Sequence, residues 1–139
     1  MIIKIVYVSR SLSPLPLEIK DILVVSRKNN KVLEVSGALC FLNGVYIQYL
    51  EGDAATVNAL YLRIEDDPRH RDVKKIVHEQ IAQREYPDWS MALLTWNEET
   101  KAIFESFYPD SEFDAYAADP QSVMSLIQAW SRTPNWMTV

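Results

Sequence analysis

A chain of 139 residues, 48% hydrophobic and 24% charged, carries enough apolar material for one globular domain with its own core. Its net charge of −5 and its scattered basic residues exclude a nucleic-acid surface, because no basic stripe offers a phosphate footprint. One cysteine, Cys40, excludes an internal disulfide and the apolar start MIIKIVYV is too short for a signal h-region or a membrane span, so a cytoplasmic protein, with no membrane contact, is expected.

The run Ile2–Ser9 reads as a strand, with Ile3, Ile5, Tyr7 and Ser9 on one face and Ile2, Lys4, Val6 and Val8 on the other. Both faces are mostly apolar, which predicts a central strand. The loop SLSPLP ends it, and Pro16 in a first turn opens a helix running to about Asn30, with Ile19, Ile22, Leu23 and Ser26 as its core stripe. Asn29 and Asn30, tolerant of left-handed backbone, are expected to close that helix. Next come two strands, Ala38–Leu42 and Val45–Leu50, joined by Asn43-Gly44, the dipeptide that suits a two-residue hairpin turn. Along the second, Tyr46, Gln48 and Leu50 share one face.

Glu51-Gly52-Asp53 starts a second helix whose stripe is Val57, Leu60, Tyr61 and Ile64, ending at Asp66-Asp67-Pro68. Val73–Ile81 and Trp89–Trp96 read as further strands, the latter with Trp89, Met91, Leu93 and Thr95 on one face. The order β-α-β-β-α-β-β, with right-handed crossovers, predicts an α+β, ferredoxin-like sheet with two helices on one face. Residues 1–96 form this core. Residues 97–139 form a helical extension, with a short helix from Thr100 to Phe107 and a second one capped by Asp119-Pro120 that carries Val123, Leu126, Ile127 and Trp130. It is expected to cover the sheet face bearing Val6, Val8, Ile47 and Tyr49.

Gln48 sits mid-strand between large side chains, and an unpaired buried amide costs about 1–3 kcal/mol. It therefore either reaches water or a neighbouring strand, or faces a bound ligand. Ser26 reads first as an ordinary serine near a helix end and second as room left in an apolar stripe, and Cys40 as a small buried hydrophobe. No metal site is expected.

Several stretches in fixed order resemble the BLUF domains, blue-light sensors that bind FAD non-covalently: IVYVSR, SRKNN, SGALCFLNGVYIQYLEG, VNALYLRIEDDPRHRDV and PDWSM. The resemblance implies a flavin held between the two helices, against the sheet. It implies that Tyr7 donates an electron and a proton to the photoexcited flavin, that Gln48 bridges Tyr7 to the flavin N5/O4 edge, and that Met91 and Trp89 pass the signal on. For cofactor binding it implies Asn30 and Asn29 at the flavin's carbonyl edge, Arg63 and Asp67 around its chain, Ser26 beside it, and Arg27 or Lys28 to balance the diphosphate. Where many members read N-x-x-N-G-I-T-G, this chain has Leu33-Glu34-Val35-Ser36-Gly37 after Asn30.

The implied function is photochemical switching with no substrate turned over, signalling to a separate partner protein or through a homo-oligomer. A dark ligand-binding or protein-interaction module on the same fold is the alternative. An acylphosphatase-like enzyme would need a glycine-rich anion loop after the first strand, which SRSLSPLP does not provide.

Overall fold

The computed structural model describes residues 1–11, 17–42, 44–68, 70–109 and 113–137, and only the backbone of 17–22. The Pro16 helix start, Asn43 of the hairpin turn and the side chains of Ile19 and Ile22 lie outside the described residues. In chain order the elements are β1 (Ile2–Ser11), α1 (Leu17–Leu33), β2 (Ser36–Leu42), β3 (Val45–Asp53), α2 (Ala54–Glu65), β4 (His70–Ile81), β5 (Ala92–Leu94), α3 (Glu98–Phe107), α4 (Pro120–Ser131) and β6 (Trp136–Met137). The described strands form one sheet in the order β4-β1-β3-β2-β5-β6. Its first four positions are those of a ferredoxin-like fold, with β1 central as its two apolar faces require.

Period-two alternation splits the core in two. On one face Ile3, Ile5, Tyr7, Leu39, Tyr46 and Leu50 pack with Leu23 of α1 and with Val57, Leu60 and Tyr61 of α2. On the other, Val6, Val8, Cys40, Ile47 and Tyr49 pack against Val123, Leu126, Ile127 and Trp130 of α4, so the C-terminal helices do cover the second face. Burial pushes the Cys40 thiol up, away from its reactive thiolate, and the residue fills space. The two helices start as their sequences direct: Asn97 and Thr100 form a reciprocal capping box on α3, and Asp119 caps the backbone of Gln121 ahead of Pro120 on α4.

Four expectations are corrected. First, α1 does not close at Asn29-Asn30 but runs to Leu33. Its end is a Schellman turn, in which Val35 N–H donates to Asn30 C=O (2.9 Å) and Glu34 N–H to Lys31 C=O (3.4 Å). Glu34 holds the left-handed position there, with φ 56°. Second, Glu51-Gly52-Asp53 belongs to β3, and α2 begins at Ala54. Third, the strand expected over Trp89–Trp96 shrinks to Ala92–Leu94, because the chain before it is held by contacts from other elements: Gly37 N–H donates to Trp89 C=O (2.8 Å) and the Asn30 amide to Ser90 C=O (2.5 Å). Trp89 and Met91 therefore do not share a strand face. Met91 is buried with Tyr7, whereas Trp89 packs on the opposite core. Fourth, the C-terminal extension contributes a strand, β6, antiparallel to β5 with Leu93 opposite Met137 and Leu94 opposite Trp136.

Candidate functional site

β1 and β3 are antiparallel neighbours, and their register puts Tyr7 directly opposite Gln48. Both side chains emerge on the face covered by α1 and α2, since Tyr7 shares its strand face with Ile5 and Gln48 with Leu50. The Tyr7 hydroxyl donates to Gln48 Oε1, and Gln48 Nε2 lies 3.6 Å from Met91 Sδ. Gln48 is thus a buried amide (6% exposed) with its acceptor on the phenol and its donor on a thioether. Tyr7 itself is 1% exposed, edge-on to Tyr61 with ring centroids 5.6 Å apart. Its phenol is raised well above the usual tyrosine range, first by burial and then by Tyr61 and Asp67, so it keeps its proton.

Gln48 forms part of the floor of a cleft between α1 and α2. Two lobes of this cleft share Ser26, Gln48, Ile64 and Asp67. Tyr7, Ser9, Tyr46 and His70 line one lobe, and Asn29, Asn30 and Arg63 the other. The apolar walls and convergent amide, hydroxyl and charged groups suit a flat heteroaromatic ring with a polar edge, joined to a polar chain. Ser26, Asn29, Asn30, Gln48, Arg63 and Asp67 all line this cleft, with Asn29 on its exposed margin.

Two assignments from sequence fall elsewhere. Trp89 does not reach the cleft: it stacks on Tyr86 (4.7 Å between centroids, 10° between planes) and against Trp136 (4.7 Å, 33°) on the other side of the sheet. Arg27 turns its guanidinium to main chain, Nε donating to Met91 C=O (3.1 Å) and Nη2 to Met137 C=O (3.0 Å).

Sequence reasoning missed Ser9 and His70. His70 Nε2 lies 2.6 Å from Ile64 C=O, which can only accept, so this nitrogen carries the proton and Nδ1 in the neutral ring accepts from the Ser9 hydroxyl (2.9 Å). The ring stands edge-on to Tyr7 at 6.4 Å. Ser9 was readable as the next residue on the Tyr7 face. His70 was visible only within the D-P-R-H-R-D stretch.

Residues 2–92 match the family model described as BLUF, sensors of blue-light using FAD. Over 100 residues the chain is 35% identical to the photoactivated adenylate cyclase subunit beta of Euglena longa, an alignment covering 70% of this chain and 11% of that protein. The chain thus spans about a tenth of the length of this relative (11%). The structure of BlsA in its photo-activated state superposes with a TM-score of 0.86 over 97% of this chain and 98% of that one, at 22% identity, a likeness of fold. The dark-state structure of BlrB, a BLUF protein, gives 0.74 at 26% identity, covering 92% and 96% of the two chains.

Proposed function

The chain belongs to the BLUF family, the blue-light sensors that bind FAD, and we propose that it senses light through a hydrogen-bond switch in which Gln48 exchanges its partners between Tyr7 and Met91. The observation that carries this reading is the Tyr7–Gln48 pair, opposed in register, buried, and bonded hydroxyl to amide oxygen on the cleft floor. Asn30, Asn29, Ser26, Arg63 and Asp67 are the residues that would hold FAD, with Gln48 and Tyr7 at its reactive end. FAD, when bound, supplies the absorption of blue light and an excited state that accepts an electron. Tyr7 would be the donor, releasing an electron and its Oη proton along the hydrogen bond to Gln48 Oε1, and regaining both once the Gln48 amide has reversed.

An amide suits the next step, because rotation or tautomerisation reverses its donor and acceptor ends without breaking the fold. Reversal would present an oxygen to Met91 Sδ where Nε2 now lies. Sulfur accepts weakly and cannot donate, so the thioether loses its contact and the segment carrying it is biased to move. Trp89, on the far face, senses that movement through its main chain. Residues 1–96 act as the sensor core and 97–139 as the part that carries the signal to a separate protein or to a second copy of the chain; the protein itself turns over no substrate. Among the described residues no helix is long and apolar enough to cross a membrane, and a single buried free cysteine supports a cytoplasmic setting.

The test is the visible spectrum of the protein reconstituted with FAD, before and after a blue pulse. A reversible red shift in wild type that is absent in Gln48→Leu supports the switch. A normal shift in the variant rules out Gln48 as the relay.

A further inference from the structure

Arg27 and Asn30 lie three residues apart on α1, hence on one face of the helix, and both hold the short segment that leads into β5. Asn30 takes the carbonyl of Ser90 and Arg27 that of Met91. Arg27 alone reaches further, its second donor engaging Met137 C=O on β6. One planar guanidinium thus joins the residue that touches Gln48 to the strand forming the edge of the sheet beside β5. The fork geometry matters here: a guanidinium presents donors along fixed directions, so displacement of one carbonyl is felt at the other.

β6 is a slight element. It contributes two residues, is supported by Thr95 N–H donating to Asn135 C=O (2.7 Å), and rests Trp136 on Trp89 while the Trp136 indole donates to Trp130 C=O (2.9 Å). The Asn97 amide also donates to Asn135 Oδ1 (2.8 Å), so the Arg27 bond adds to these contacts about what a hydrogen bond to a charged group contributes to the docking of a two-residue edge strand.

We propose that Arg27 is a positioning residue that couples Met91 to β6, so that movement of the Met91 main chain in the lit state loosens β6 from β5 and uncovers that sheet edge. This rests on the hydrogen-bond switch proposed above, which supplies the displacement. It assigns Arg27 to signal output, where the sequence suggested a balance for the diphosphate.

Hydrogen exchange on the intact FAD-loaded protein, in dark and under blue light, tests it at the Thr95 amide and across 135–137. In wild type, light is expected to speed exchange there by about tenfold, the loss of one charge-assisted hydrogen bond, while β1 is unchanged. Arg27→Met is expected to reach the lit rate already in the dark, to gain nothing on illumination, and to keep its flavin red shift. Arg27→Lys, with charge but no fork, should fall between. A merely structural role would leave the light–dark difference intact in Arg27→Met, and that result overturns the proposal, as does wild-type exchange that ignores light although the red shift occurs. Wild type without any red shift would instead sink the switch, and the coupling with it; the dark exchange of Arg27→Met would still report whether Arg27 holds β6.

Discussion

Glu51 offers the sharpest quantitative prediction. Its carboxylate is fully buried on the face opposite the cleft, and three donors converge on it: Tyr49 hydroxyl and Glu85 N–H on Oε1, Tyr86 N–H on Oε2, each at 2.8 Å. Two of these come from the β4–β5 loop, which continues to Trp89 and Met91, so this carboxylate anchors the segment that meets Gln48. In Glu51→Gln the amide oxygen keeps the Tyr49 and Glu85 bonds, and the NH₂ then faces the Tyr86 N–H, donor against donor. Each retained bond loses its charge assistance, about 1 kcal/mol apiece, and the orphaned donor costs a further 1–3 kcal/mol or so. Relief from burying a charge offsets part of that sum, leaving a net loss of about 2–3 kcal/mol. Urea unfolding at constant pH measures it, and at this chain length the melting temperature should fall by roughly 6–10 °C. Dark recovery of the FAD-loaded variant should also change, because the loop is released. A loss below about 0.5 kcal/mol would mean that the carboxylate does not anchor the loop, and the reasoning would fail.

Other outcomes follow from particular contacts. A Cβ on Gly37 would lie 2.9 Å from Met91 Cε and 2.9 Å from the Tyr49 carbonyl oxygen, and the carbonyl cannot swing away; Gly37→Ala should cost about 1–3 kcal/mol by denaturation and shift the rate of dark recovery by moving Met91 off Gln48. Glu34→Gly should stabilise by about 0.5–1 kcal/mol, since a left-handed L-residue costs about 1–2 kcal/mol and glycine's extra chain entropy returns part of it; an unchanged urea midpoint would show that the turn is not strained. Burial raises both Tyr7 and Tyr49, the latter pushed further by Glu51, so both stay neutral in the fold while the unfolded chain ionises near pH 10. Their contribution to stability is whole below about pH 10 and is lost as the pH rises beyond it. Urea midpoints from pH 8 to 11 should show this fall, with a shallower slope in Tyr49→Phe.

How far the site could be read from sequence depended on the kind of contact. The meeting of Tyr7 with Gln48 was implied only by the family resemblance, because the turn dipeptide lies between β2 and β3 and says nothing of how β1 pairs with β3; strand alternation made legible only the face that each side chain takes. The two-sided core was legible for the same reason. Trp89–Trp96 alternates as a strand would, yet its first residues are held by Gly37, Asn30 and Arg27, each more than 50 residues away in the chain. No local pattern encodes those grips. The end of α1 was misplaced because a glutamate fills the left-handed position where glycine is the usual signal. His70 escaped notice because Ser9 meets it only after β4 pairs with β1, and no local pattern marks its bond to the nearby Ile64 carbonyl.

The most direct measurement is the light-minus-dark absorption spectrum of FAD-loaded wild type beside Tyr7→Phe, which removes the hydroxyl and little else. The account predicts a reversible red shift in the wild type and, in the variant, bound flavin with no shift. A full, reversible shift in Tyr7→Phe would contradict it, because the Tyr7 hydroxyl would then be neither the donor nor the partner that sets Gln48.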